Sequence, residues 1–119
     1  MAGGVYRWSP GSELILIEAS GGSAPNGIVV GPDEKYAYVA EWGESRVYRV
    51  ALDPGADQAW VAVDLRHAPD NLTWTAEGQL LVAGQAGGVR SALGCGQVER
   101  GGCALDFGVY RIDPQSMQA

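Results

Sequence analysis

One tripeptide occurs three times in this chain of 119 residues, and its spacing limits the folds that the chain can adopt. Val-Tyr-Arg starts at residues 5, 47 and 109, and an apolar residue follows each copy. A second motif, Ala-Pro-Asn-Gly-Ile at residues 24–28, is echoed 44 residues later by Ala-Pro-Asp-Asn-Leu at residues 68–72. Repeats at a period of about 40–45 residues are typical of propeller blades and other stacked units. The motifs therefore predict repeated structural units.

Apolar residues between these motifs come in short alternating runs, which is the period of β-strands. Four such runs fit between residues 26 and 63, joined by turns rich in Gly, Pro and Asp. A second series begins at residue 72, and residues 84–106 are inserted between its second and third strands. No segment of helical length carries an apolar face. The 18 glycines suit such an all-β chain with many tight turns.

Four antiparallel strands per unit predict an all-β fold that is a fragment of a β-propeller. Residues 1–23 would form the last two strands of one blade, with a buried strand over residues 13–18. Residues 24–66 would form a complete blade, and residues 67–119 an incomplete one that carries the inserted loop. The total is about two and a quarter blades at this period. Open strand edges at both ends would favour self-association.

Charge and composition limit the classes of partner that the chain is expected to bind. The net charge of −6 argues against nucleic acid, whose phosphates need a basic surface. No apolar run approaches the roughly 18 residues of a transmembrane helix, so no membrane partner is expected. The N-terminus lacks the features of a signal peptide, which favours a cytoplasmic location. A truncated N-terminus would leave a periplasmic or secreted location open. Cys95 and Cys103 are expected to be free thiols, because a small disulfide loop would need an oxidising compartment.

Residues 24–42 contain Ala-Pro-Asn-Gly-Ile, Gly-Pro-Asp-Glu-Lys and Tyr-Val-Ala-Glu-Trp in that order. This order resembles the repeat of the SMP-30/gluconolactonase/LRE-like proteins, and residues 69–84 resemble the blade that follows. Those proteins share six-bladed propellers with paraoxonases and strictosidine synthase-like proteins. The resemblance implies a six-bladed parent fold and a calcium-dependent lactonase or esterase. This chain would be an incomplete part of that enzyme, inactive alone.

The same resemblance implies a set of metal ligands. Asn26 matches an amide ligand of calcium, Asp70 a carboxylate ligand, and Asn71 a neighbour close to the metal. Calcium prefers such oxygen donors, and a bound metal would polarise the carbonyl of a lactone or ester substrate. Asp70 would orient or deprotonate the attacking water. Turn chemistry is the alternative explanation for all three residues. Other ligands of the family lie in blades that this chain lacks, so the site would be incomplete.

Strand topology predicts that the starts of first strands share one face with the links between second and third strands. Glu41 and Trp42 are therefore candidate pocket residues. His67 is a further candidate because it lies three residues before Asp70, and Gln85 is one by the resemblance. Glu41 is expected to be a solvated or structural carboxylate, and His67 a surface-loop residue. Gln85 stands about where paraoxonase-like members often carry a histidine, and an amide cannot act as a general base.

Two other functions stay open. The chain could belong to a non-catalytic propeller module that binds a partner through the inserted loop. It could also belong to a strictosidine synthase-like enzyme that works without metal. A covalent hydrolase is unsupported, because the sequence has no Gly-x-Ser-x-Gly elbow and no paired catalytic Cys and His.

Overall fold

A computed structural model describes residues 2–119, apart from the side chains of Val89 and Ala92. The described residues form an all-β fold of four small antiparallel sheets with one short helix. This architecture confirms the predicted fold class. In this part of the chain, no helix has both the length and the apolar character needed to cross a membrane.

The largest sheet has four antiparallel strands in the order of the chain. They are β5 (Pro25–Val30), β6 (Tyr36–Glu41), β7 (Arg46–Ala51) and β8 (Val61–Asp64), and a 3₁₀ turn (Trp42–Glu44) joins β6 to β7. Strand β6 is buried on both faces. Tyr38 belongs to the apolar cluster on one face, while Ala37 and Val39 belong to the cluster on the other. Both faces of this strand are therefore apolar, as is typical of a strand that is covered on both sides.

The second sheet has three antiparallel strands in the order β9-β10-β11. They are β9 (Ala68–Trp74), β10 (Leu80–Gln85) and β11 (Phe107–Ile112). The second and third Val-Tyr-Arg copies lie on β7 and β11, the third strands of their sheets. Strand β11 is an edge strand among the described residues, and its Phe107 and Val109 side chains are 75% and 63% exposed.

The main apolar core lies between these two sheets. Tyr38 and Val47 from the first sheet pack in one cluster with Leu80, Val82 and Ile112 from the second. At the rim, the Trp74 indole donates a hydrogen bond of 2.9 Å to the Val30 carbonyl and meets the Tyr38 ring edge-on. The sheets are thus joined by both packing and a specific polar contact.

The N-terminal segment forms two ribbons of two strands each. Strand β1 (Ala2–Gly3) pairs with β4 (Gly22–Ser23), and β2 (Tyr6–Arg7) pairs with β3 (Ile15–Leu16). The prediction of a buried strand over residues 13–18 was wrong, because only two residues form a strand and Leu14 is 68% exposed. In the described chain the β2–β3 ribbon has no further strand beside it, so most of its apolar side chains remain uncovered.

The inserted segment between β10 and β11 contains a short helix, α1 (Val89–Cys95), which the sequence analysis missed. Cys95 at the end of this helix forms a disulfide with Cys103. The expectation of two free thiols was therefore wrong. The intervening residues include Gly101 with a φ of +85°, a left-handed conformation that glycine adopts readily. That turn helps to bring the two cysteines together, with their Cα atoms 5.2 Å apart.

Candidate functional site

Both candidate ligands of the first strands lie at irregularities in strand pairing. In the first sheet, Pro25 pairs with Glu41 and Ile28 with Val39, so Asn26 and Gly27 face only one residue of β6. In the second sheet, Pro69 pairs with Gly84 and Asn71 with Ala83, so Asp70 is the extra residue. A β-bulge of this kind re-aims a side chain and is common beside functional sites. The repeated motif therefore encodes a repeated bulge.

Gly27 explains how close the two bulges are. A Cβ atom on Gly27 would collide with the backbone carbonyl oxygen of Asp70 and lie 3.1 Å from the Cα of Asn71. Gly27 lies within β5 and is not one of the described glycines with positive φ. Its role is thus to allow close approach of backbone to backbone, and a turn of the Asn-Gly type does not occur there. This contact places the Asn26 and Asp70 segments side by side.

A cavity of about 870 Å³ opens over these bulges. It brings together four residues that the sequence predicted for the site, namely Asn26, Trp42, Asp70 and Gln85. Asn26 and Asp70 come from the starts of the first strands, while Trp42 and Gln85 lie where the second strands end. Asn71, the third predicted ligand, does not line the cavity, as expected for the neighbour of a cavity-facing residue in a strand.

Several cavity residues were not predicted from the sequence. Arg66 supplies a cation, Ser23 and Ser45 supply hydroxyl groups, and Leu93 from α1 adds an apolar wall. Arg66 precedes the Ala-Pro motif by two residues, and Leu93 lies in the inserted segment. The repeat does not mark Arg66, since Gly22 stands at the matching place two residues before the first Ala-Pro motif. The position of Leu93 depends on how the helix folds back.

Glu41 lies behind the cavity and does not line it. Its side chain is 1% exposed, and its two carboxylate oxygens accept hydrogen bonds of 2.5 Å from the Ser23 backbone N–H and the Arg46 Nε–H. The hydrogen bond to Glu41 raises the pKa of the Arg46 guanidinium. Burial raises the pKa of nearby Tyr48 to about 12, with a further contribution from the Glu41 charge. Of its two expected roles, Glu41 has the structural one, since it ties the N-terminal segment to the first sheet.

His67 is also behind the cavity, and the expectation of a surface-loop histidine was wrong. The residue is 6% exposed, and its Nδ1 atom lies 2.5 Å from the Tyr110 hydroxyl oxygen. Its Nε2 atom lies 3.3 Å from a carboxylate oxygen of Asp106. Gly108 leaves the space that the imidazole fills, and Gly84 lies against the His67 Cβ. Because β11 follows the insertion, this packing against Gly108 could not be inferred from the local sequence around His67.

Asp106 marks the point where the inserted segment returns to the sheet. The hydrogen bond with His67 and a second one from the Phe107 backbone N–H hold the pKa of the Asp106 carboxyl below its usual range. The attraction of Arg66 acts in the same direction with a smaller effect. The Ala86 N–H also donates to the Asp106 carbonyl at 2.7 Å. These contacts fasten both ends of the insertion next to the cavity.

The donor chemistry of the cavity suits a hard cation in part. Asn26 and Gln85 provide amide oxygens and Asp70 a carboxylate, all of which are oxygen donors that calcium accepts. Calcium takes about 6–8 oxygens, however, which is more than these side chains supply. Residues 2–119 contain no group of three or more His, Cys, Asp and Glu side chains arranged to hold a metal.

Comparison with protein families agrees with the fold. The model of the SMP-30/Gluconolactonase/LRE-like region matches residues 1–100. The chain belongs to this family. The match includes both bulged motifs and Gln85, whereas β11 and the returning end of the insertion lie beyond it. The sheets described above are accordingly part of a β-propeller. A comparison with curated proteins finds no match for this chain.

Proposed function

We propose that this chain supplies part of the site of a calcium-dependent hydrolase that acts on lactones or carboxylic esters. The shared cavity of Asn26 and Asp70 carries the proposal, because it unites the two ligand types that the family resemblance implies. Membership of the SMP-30/Gluconolactonase/LRE-like family supports a lactonase-like propeller as the parent. The chain alone is expected to be inactive, since its donors are too few for tight calcium binding.

Each residue has a chemical role in this proposal. Asn26 and Asp70 would hold the cation, and Gln85, which lines the same cavity, would contribute a further oxygen or a hydrogen bond. The cation would supply Lewis acidity toward the substrate carbonyl. The Asp70 carboxylate would accept a hydrogen bond from the attacking water and orient it. Trp42 and Leu93 would pack against the apolar part of the substrate and reduce the access of bulk water.

The proposal is tested by titrating calcium into the purified chain and following backbone amide shifts by NMR. We expect weak binding, with a Kd on the order of 1 mM or weaker, as for calcium sites of low ligand charge. The largest shifts should occur at Asn26 and Asp70. Asp70→Ala should abolish the saturable shifts, because it removes the carboxylate from the cavity.

Glu77→Ala is the matched control, since Glu77 is an exposed carboxylate in the turn between β9 and β10. It should leave the calcium titration unchanged. Calcium binding that survives Asp70→Ala would contradict the assigned ligand. Rapid lactone hydrolysis by the chain with calcium would contradict the incompleteness of the site. A chain that binds no calcium would favour a binding module or a metal-independent enzyme.

A further inference from the structure

Arg66 is a positive charge in this cavity with no role so far. Its residue is exposed, and its side chain makes no ion pair and no hydrogen bond with the described part of the chain. The chain has a net charge of −6, with 14 Asp and Glu residues and eight Lys and Arg residues, so possible acidic partners for an arginine are in excess. Arg46, by contrast, is held by Glu41. The Asp106 carboxylate feels the Arg66 charge but forms no ion pair with it, so the Arg66 N–H donors are available to a group from outside the chain.

Arg66 lies in the link between β8 and β9, four residues before Asp70. Arg66, Ala68 and Asp70 alternate along the chain, and all three line the cavity. Because an extended chain spans at most about 3.6 Å per residue, the Cα atoms of Arg66 and Asp70 are at most about 14 Å apart. The bulge at Asp70 shortens this separation. The lining of the cavity thus carries both a cation, Arg66, and the candidate metal ligand Asp70.

The lining of the cavity as a whole is mainly apolar. Ala68 lies between Arg66 and Asp70 in the chain, while Pro25, Trp42 and Leu93 line other parts of the cavity. A guanidinium presents a planar fork of N–H donors, which matches the two oxygens of a carboxylate. Apolar walls that end in such a fork suit an elongated molecule with an apolar middle and an anionic end.

We propose that Arg66 binds a carboxylate of the substrate remote from the reacting carbonyl, so that the preferred substrates are anionic lactones or esters. This inference rests on the proposed function for the identity of the reacting group. The anion is held at Arg66, the apolar middle packs along Ala68 and Trp42, and the ester or lactone carbonyl lies toward Asn26 and Asp70. Arg66 is then a specificity residue and takes no part in the bond-breaking step.

The test compares two probes that differ by one charge. They are a phenyl-substituted γ-lactone with a para-carboxylate and the methyl ester of that carboxylate, titrated into the chain by NMR. The wild-type chain should bind the carboxylate about two- to fivefold more tightly, the ratio expected for one charge pair at a solvent-exposed site. Arg66→Gln should reduce this ratio to about one, and Arg66→Lys should retain part of it because the charge remains.

Arg90→Gln is the matched control, because Arg90 is an exposed arginine of α1 that does not line the cavity. It should keep the wild-type ratio. Equal binding of the two probes by the wild type, no binding of either, or a ratio that survives Arg66→Gln would overturn the inference. The calcium titration of Asp70→Ala is independent of Arg66. A preference for the anionic probe without calcium binding would thus reject the proposed function alone. Calcium binding without a preference for the anionic probe would reject only the role of Arg66.

Discussion

The two larger sheets fill equivalent positions with side chains of opposite size. In the first sheet, Glu41 pairs across the strands with Arg46. In the second sheet, the corresponding positions are Gly84 and Gly108, which pair in the same way. The residue two places before the motif proline also differs, since it is Ser23 in the first sheet and His67 in the second.

The two sheets fill the space around these paired positions with side chains that come from different directions. In the first sheet the large side chains come from the second and third strands, and the Glu41 carboxylate reaches back to the Ser23 backbone. In the second sheet the imidazole of His67 comes from the connection before β9. A Cβ on Gly84 would lie 3.1 Å from the His67 Cβ, and one on Gly108 would lie 2.7 Å from its Nδ1.

This difference shows that the two sheets share the same strand pairing, while the side chains at equivalent positions differ in chemistry. A hydrogen bond from the Ser23 N–H to the ion-paired Glu41 joins the first sheet to the N-terminal segment, and a histidine joins the second sheet to its inserted segment. In neither arrangement does the central side chain, Glu41 or His67, line the cavity. They explain why two of the predicted pocket residues, Glu41 and His67, have structural positions.

The largest effect is expected from Glu41→Ala, which would break the arrangement of the first sheet. The change leaves the Ser23 N–H and the Arg46 guanidinium without their acceptor. We expect the free energy of unfolding to fall by about 2–3 kcal/mol, below the range for fully buried pairs because Arg46 reaches solvent. Urea denaturation measures this, with Glu44→Ala in the adjoining turn as the exposed control. A loss no larger than that of the control would contradict a structural role.

A smaller effect is expected from Gly108→Ala, which would place a methyl group in the space that the His67 imidazole occupies in the second sheet. The added methyl group competes with His67 for space, so we expect a loss of about 1–2 kcal/mol. Gly102→Ala is the control, because no atom lies within 4 Å of its added Cβ. Combining Gly108→Ala with His67→Ser should recover part of the loss, measured as a double-mutant cycle. Strict additivity would show that the two residues do not compete.

The smallest effect is expected from removing one hydroxyl group in each sheet. Tyr48 donates to the Ser20 carbonyl at 2.8 Å, and its counterpart Tyr110 contacts His67. Tyr48→Phe and Tyr110→Phe should each cost about 1 kcal/mol. Hydrogen exchange should then separate them, since the first loosens residues near Ser20 and the second those near Asp106. Loosening of the same segment by both variants would show that the two arrangements are not independent.

Much of the fold could be predicted because it follows from local patterns. Alternating apolar residues indicate strands, and the repeated Val-Tyr-Arg copies indicate third strands, as β7 and β11 show. The motifs that begin at Ala24 and Ala68 also identified two residues that line one cavity, Asn26 and Asp70. A short-range pattern was sufficient because the strand period assigns each side chain to a face.

Other features could not be predicted because they depend on residues far apart in the chain. His67 is buried by Gly84 and by Gly108, which lies 41 residues further on. Cys95 and Cys103 meet because the glycine-rich segment between them turns back. The exposure of Leu14 depends on whether another strand lies beside its ribbon, which hydrophobicity alone does not indicate.

The sequence by itself determined the all-β class, the repeat and the family of this protein, because these depend on residue order and period. Only the tertiary structure decided which polar residues face the cavity. Asp70 and Arg66 line it, while Glu41 and His67 lie behind it. The physical reason is that a bulge and a glycine contact such as that at Gly27 set the direction and distance between strands that are distant in sequence.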